Sequence, residues 1–242
     1  MTSLDSVLFI ALPYVAIVVF FVGTFRRYTK AGFSLTSLSV QFLESNRGFW
    51  GTVPFHIGIL ILLFGHMTMF AFPDFVLWWN SDPQRLMANE GIGFVFGLVV
   101  LIAMTLLLLR RWTNPRLRAV TSRMDVLIEI LLWVQILLGC WTAYAYRWGS
   151  SWFAADLSPY LWSILKLNPN IEVISAMPWV IKLHVVGAFV IVFLIPFTRL
   201  AHFLVAPIHY AWRPYQVVMW HWDRKKIRRP DTAWQRVRPR NN

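Results

Sequence analysis

Cysteine is nearly absent from this 242-residue chain. Cys140 stands alone, which excludes an internal disulfide framework and any thiolate cluster built from the chain itself. Its apolar surroundings mark Cys140 as a small buried hydrophobe. Charge is also scarce. Only 14% of the residues are charged, against about 25% in soluble domains. Acidic residues are the scarcest, 11 against 23 Lys and Arg, for a net charge of +12. In a soluble protein such an excess points to nucleic acid, but here the basic residues flank apolar runs and membrane topology explains them. No Gly-rich phosphate loop follows a strand, and Ser, His and Asp form no short motif, so the sequence carries no sign of hydrolytic chemistry. The first residues, Met-Thr-Ser-Leu-Asp, lack the basic region and cleavage site of a secretory signal, and the first apolar run is expected to remain as a helix.

What the chain has in abundance is apolar length. Hydrophobic residues make up 57% of it, and they collect in long blocks separated by short basic segments. A hydrocarbon core of roughly 30 Å takes about 20 apolar residues in a helix. Five blocks reach that length: Ser6–Phe25, Thr52–Phe72, Gly91–Leu109, Met124–Tyr144 and Met177–Ala206. The expected fold is therefore all-α, an integral membrane bundle of five transmembrane helices over residues 1–206, with a basic and aromatic tail over 207–242. No length remains for a second globular core.

Lys and Arg favour the cytoplasmic side of a membrane. Eighteen of the 23 basic residues lie between spans 1 and 2, between spans 3 and 4, or in the tail; Arg85, Arg147, Lys166 and Lys182 lie in the opposite loops, and Arg199 lies within span 5. The rule places the N-terminus outside and the C-terminus in the cytoplasm. Trp78, Trp79, Trp148, Trp152, Trp162 and Trp179 then fall in the outer loops, as an interfacial aromatic belt and a half-buried surface helix would require.

Four of the six histidines lie inside spans: His56 and His66 in span 2, His184 and His202 in span 5. Ionisable groups at membrane depth are costly and mark functional sites. Spans 2 and 5 run antiparallel, so His66 can face His184 near the outer side and His56 can face His202 near the inner side. The ten residues from His56 to His66 rise about 15 Å, and the 18 residues from His184 to His202 make about five whole turns of a continuous helix. Each pair could hold a flat macrocycle from both faces, as bis-His haem ligation requires. The competing readings are zinc or copper, disfavoured because such ligands must converge on one atom, and four structural histidines. Gly58 and Gly65 share a face of span 2 and would admit a ring or a neighbouring helix. Arg110, Arg111 and Arg199 are placed to meet haem propionates, and Arg199 is one turn before His202. Glu129, near the inner interface of span 4, reads as structural.

These stretches resemble the gamma subunit of membrane-bound respiratory nitrate reductase, a di-haem cytochrome b. The resemblance is carried by Phe55-His56-Ile57-Gly58-Ile59-Leu60, Gly65-His66, Asn114-Pro115-Arg116-Leu117-Arg118-Ala119, Lys182-Leu183-His184 and Pro196-Phe197-Thr198-Arg199-Leu200-Ala201-His202. It covers nearly the whole chain except the last twenty or so residues. It implies two b haems with His56, His66, His184 and His202 as axial ligands to iron. It further implies quinol oxidation near the outer haem, and transfer of electrons to cytoplasmic iron–sulfur and molybdenum subunits at a bacterial or archaeal cytoplasmic (inner) membrane. The family's quinol site uses a lysine in the loop between spans 2 and 3. This chain has Gln84 or its neighbour there, so Gly65, His66, Gln84 and Arg85 are the expected quinol residues, with Arg85 able to supply charge but not a proton.

Two other functions compete with quinol oxidation feeding nitrate reduction. One is the same subunit with current reversed, as in a nitrite oxidoreductase or other molybdoenzyme complex. The other is a membrane anchor or transporter without haem, although no inverted repeat with broken helices is visible. The tail carries nine basic residues together with Trp212, Tyr215, Trp220, Trp222 and Trp234. That composition suits docking on a soluble redox subunit, with anionic lipid binding as the alternative.

Overall fold

The structure, a computed structural model, describes residues 3–31 and 49–205. The expected tail, with His209 and His221, lies outside the described residues. The described part is helical, without a strand, and five helices are long and apolar enough to cross a membrane: Ser3–Lys30, Trp50–Ala71, Pro83–Thr113, Arg123–Ala145 and Trp179–Phe197. They are spans 1 to 5 below. The shortest has 19 residues, about 28 Å at 1.5 Å per residue, which matches the hydrocarbon core. Their outward side chains are apolar: Phe25 is 71% exposed and Phe64 75%. So much exposed hydrocarbon fits lipid and not water. The chain is a multi-pass membrane protein.

Span 2 packs on span 3, span 3 on span 4, span 4 on span 5, and span 5 on span 1. Helix ends are set by local chemistry. Span 3 starts eight residues earlier than its apolar run, because Asp82 is its N-cap and Pro83 its first residue. The Asp82 carboxylate accepts from the N–H groups of Gln84 at 2.9 Å and Arg85 at 3.1 Å, satisfying donors that a helix start leaves free. Span 4 opens with a reciprocal capping box between Ser122 and Asp125. In span 1 a π-helical turn, Val7–Ala11, precedes Pro13. Proline cannot bond the carbonyl four residues back, and the Tyr160 hydroxyl donates to that carbonyl, Phe9 O, at 2.9 Å.

The connection between spans 4 and 5 is largely helical: Gly149–Trp152, the π-turn Phe153–Leu157, Ser158–Leu165 and Glu172–Ala176. Its apolar side builds one core cluster with Phe9, Leu157, Tyr160, Ile164 and Ile174. Ser158 Oγ and Trp162 Nε1 both donate to Phe70 O at 3.0 Å, tying this layer to the end of span 2. A second cluster, Val100, Met104, Ile136 and Cys140, joins spans 3 and 4. Cys140 is buried there, as its composition implied.

Span 5 departs from expectation. The apolar run to Ala206 reads as one helix, but the α-helix ends at Leu194, followed by two 3₁₀ segments, Ile195–Phe197 and Arg199–Val205. Pro196 removes a donor, and Thr198 between them is extended, with φ −121° and ψ 175°. The five-turn argument that put His184 and His202 on one face of a single helix therefore does not apply. His202 is placed by a separate turn.

Candidate functional site

The rings of His66 and His184 have centroids 6.5 Å apart with an interplanar angle of 42°. Those of His56 and His202 are 6.3 Å apart at 66°. An imidazole centre lies about 1.1 Å from its nitrogens and a metal–nitrogen bond is about 2.0 Å. Two imidazoles on opposite sides of one metal atom therefore have centres about 6.2 Å apart. Aromatic contact alone also covers roughly 4.5–7 Å, so the separation needs a second observation to interpret it.

That observation is polar. His56 and His66 are exposed side chains within a membrane span. His56 Nδ1 donates to Thr52 O at 2.7 Å, His66 Nδ1 to Leu62 O at 2.7 Å, and His202 Nδ1 to Arg199 O at 2.6 Å. A carbonyl only accepts, so Nδ1 carries a proton in each ring, which in a neutral imidazole leaves the lone pair on Nε2. This is the arrangement found in metal-binding histidines, where the second nitrogen is fixed by a hydrogen bond. His184 differs. Its Nδ1 is buried without a hydrogen-bond partner, and its ring lies against Gly139, where a Cβ would come within 3.1 Å of Cε1. Gln135 Nε2 donates to the His184 carbonyl at 2.9 Å. Among the described residues no three His, Cys, Asp or Glu side chains converge. Two separate pairs suit two bis-imidazole irons better than one tetrahedral ion.

The sequence profile of the family described as nitrate reductase gamma subunit matches residues 5–221, a range that contains all four of these histidines. The chain belongs to the nitrate reductase gamma subunit family. It is 34% identical to the respiratory nitrate reductase 2 gamma chain of Escherichia coli K12, over 85% of this chain and 92% of that one. It is 30% identical to the respiratory nitrate reductase 1 gamma chain of the same organism, over 90% and 98%. With the nitrate reductase gamma chain of Bacillus subtilis it shares 28%, over 85% and 94%. The protein is thus a membrane subunit of the nitrate reductase type.

In this gamma-family chain two of the three arginines expected to meet propionates, Arg199 and Arg111, are paired with carboxylates. Arg199 Nη2 is 3.0 Å from Asp125 Oδ2 and donates to Val120 O at 3.1 Å. Arg111 Nη2 is 2.5 Å from Glu129 Oε1, and its Nη1 donates to Thr121 Oγ1 at 2.8 Å. Glu129, read from its position as structural, is paired with Arg111. Arg110 lines a cavity of about 550 Å³ with Trp50, Gly51, Leu106 and Asn114.

At the other end of the bundle, Phe153 packs edge-on against His66 with centroids 5.7 Å apart. Glu90 caps the short helix that leads to Phe153. Its carboxylate accepts from Gly149 N at 3.1 Å, Ser150 N at 2.8 Å and Ser150 Oγ at 2.6 Å. Asn80 adds bonds to Ser150 and Ser151 and accepts from Asn89. The Arg85 guanidinium lies over Trp78 and Trp79, 5.2 and 5.1 Å from their ring centres, and its Nε is buried without a partner. Gln84 is exposed. A Cβ on Gly65 would meet nothing within 4 Å, whereas one on Gly58 would collide with Val100 Cγ2. Gly58 therefore serves the packing of spans 2 and 3.

Sequence reasoning marks Gln135 only as a polar residue near membrane depth, and it missed Glu90, Phe153 and Asp125 as parts of this arrangement. Of these three only Asp125 left a signal, the Ser-x-x-Asp spacing of a capping box.

Proposed function

We propose that the chain holds two b haems, one between His66 and His184 and one between His56 and His202, and serves as the quinol-oxidising membrane subunit of a nitrate reductase complex. The observation that carries this reading is the pair of ring separations, 6.5 and 6.3 Å, together with the Nδ1–H groups of His56, His66 and His202 committed to backbone carbonyls. Haem supplies one-electron chemistry at a potential that its axial ligands and surroundings set. The chain supplies ligands, orientation and a dry apolar sheath. His66, Gly65 and Arg85 lie at the end of the bundle that the positive-inside rule puts outside, and that is where quinol would be oxidised. Arg85, lying over Trp78 and Trp79, provides charge there, with Gln84 beside it. Arg110, Arg111 and Arg199 supply positive charge near the other pair, where propionates would need it. Electrons would leave at that inner end to iron–sulfur and molybdenum subunits in the cytoplasm, with the tail from 207 as part of their dock. The gamma chains to which it is similar are named for nitrate reductase, which favours this direction over nitrite oxidation. The test is a reduced-minus-oxidised spectrum of the purified complex, with quinol as reductant. Two b-type haems per chain, reduced by quinol and reoxidised by nitrate, are expected. A complex with no b-type absorption would leave a plain membrane anchor.

A further inference from the structure

The break in span 5 leaves backbone carbonyls that a continuous helix would have satisfied. In an α-helix Pro196 O would accept from Leu200 N. Here Leu200 N is taken by Thr198 Oγ1 at 3.3 Å. An unsatisfied carbonyl at membrane depth is costly. Arg27, on the last turns of span 1, reaches across to this break. Its Nη1 donates to Pro196 O at 2.8 Å and to Thr198 O at 2.6 Å. One turn earlier, Gly23 lets span 1 close on the same break: a Cβ there would lie 2.8 Å from Pro196 Cβ and 3.0 Å from its Cγ. A proline ring has little freedom to yield.

The break is followed directly by the residues that orient His202. Thr198 is buried, Arg199 O accepts from His202 Nδ1, and His202 faces His56. Arg27 is separated in sequence from this turn by about 170 positions, so span 1 fixes from outside a geometry that span 5 cannot fix alone. We infer that Arg27, seated against Gly23, is a positioning residue for the inner axial ligand: it holds the Pro196–Thr198 break so that His202 stands opposite His56. The inference rests on the di-haem reading above. It assigns Arg27 a role beyond the charge that topology requires.

The two roles separate by experiment. Arg27→Gln with Tyr28→Lys keeps the number of positive charges at this end but shortens the donor. Gly23→Val alters no charge and pushes on Pro196. Each is made in the full complex, and each haem is followed by redox titration and by its low-spin EPR signal. Both variants are expected to shift the potential and EPR signature of the His56–His202 haem, and to weaken its retention by roughly tenfold in affinity, the smaller end of what partners that orient metal-binding histidines contribute. The His66–His184 haem should keep its signature. Equal change in both haems, or none in either, would overturn the inference. Absence of haem from the unaltered complex would instead overturn the di-haem reading, so the two failures are distinguishable.

Discussion

Asp125 offers the sharpest test of how span 4 supports the His202 turn. Its carboxylate does two things: Oδ2 accepts from Ser122 N at 2.8 Å and also pairs with Arg199 at 3.0 Å. Side-chain exposure is 7% for Asp125 and 26% for Arg199, so the pair is screened by solvent on one side only. A hydrogen bond to a charged group contributes about 1.5–3 kcal/mol, and partial exposure puts this pair nearer the lower figure. The cap contributes about 1 kcal/mol more. Asp125→Asn keeps an oxygen for Ser122 and removes the charge, so it should cost roughly 1.5 kcal/mol. Asp125→Ala loses both and should cost roughly 2.5 kcal/mol. A double-mutant cycle of Asp125→Asn with Arg199→Gln, read by thermal denaturation of the detergent-solubilised complex, isolates the pair. Coupling of at least about 1 kcal/mol is expected. Additivity within about 0.5 kcal/mol, the value for independent sites, would refute the reasoning. Because Arg199 O holds the His202 ring, the b haem assigned to His56 and His202 should change its spectrum in Asp125→Ala.

Three other outcomes are expected. Glu90→Ala removes the three bonds that cap the helix before Phe153, so the His66–His184 haem should change its EPR signature while the other does not; equal change in both would contradict this. Gly139→Ala should also disturb the His66–His184 haem selectively, because the new methyl must displace the His184 ring by a few tenths of an ångström; an unaltered redox titration would show that the ring is not held there. Truncation after Gln216 should weaken assembly with the soluble subunits, seen as loss of those subunits in high salt; a complex that survives and passes quinol electrons at the normal rate would assign the tail's charge to lipid.

The spans were legible because apolar length is a coarse signal that single residues do not disturb, and the intramembrane histidines because a polar group in a span always demands a partner. Span 5 was misread where the signal is fine. Pro196 is plain in the sequence, but the hydrophobic run continues through it, and nothing local says that Arg27 will satisfy the carbonyls it frees. The contacts of Arg199 were hidden in the same way: its side chain reaches Asp125 and its carbonyl accepts from His202 Nδ1. Such contacts join residues on different spans, and one sequence does not record which helices become neighbours. Glu90 had no motif at all. Its partners, Gly149 and Ser150, are about 60 positions away.

The central claim is that four histidines form two independent axial pairs. The most direct measurement is a redox titration with EPR of the complex carrying, one at a time, His56→Ala, His66→Ala, His184→Ala and His202→Ala. The account predicts that His66→Ala and His184→Ala lose the same haem and keep the other, and that His56→Ala and His202→Ala lose the haem the first two retain. Loss of the same haem in His66→Ala and His202→Ala, or retention of both haems in any of the four, would contradict it.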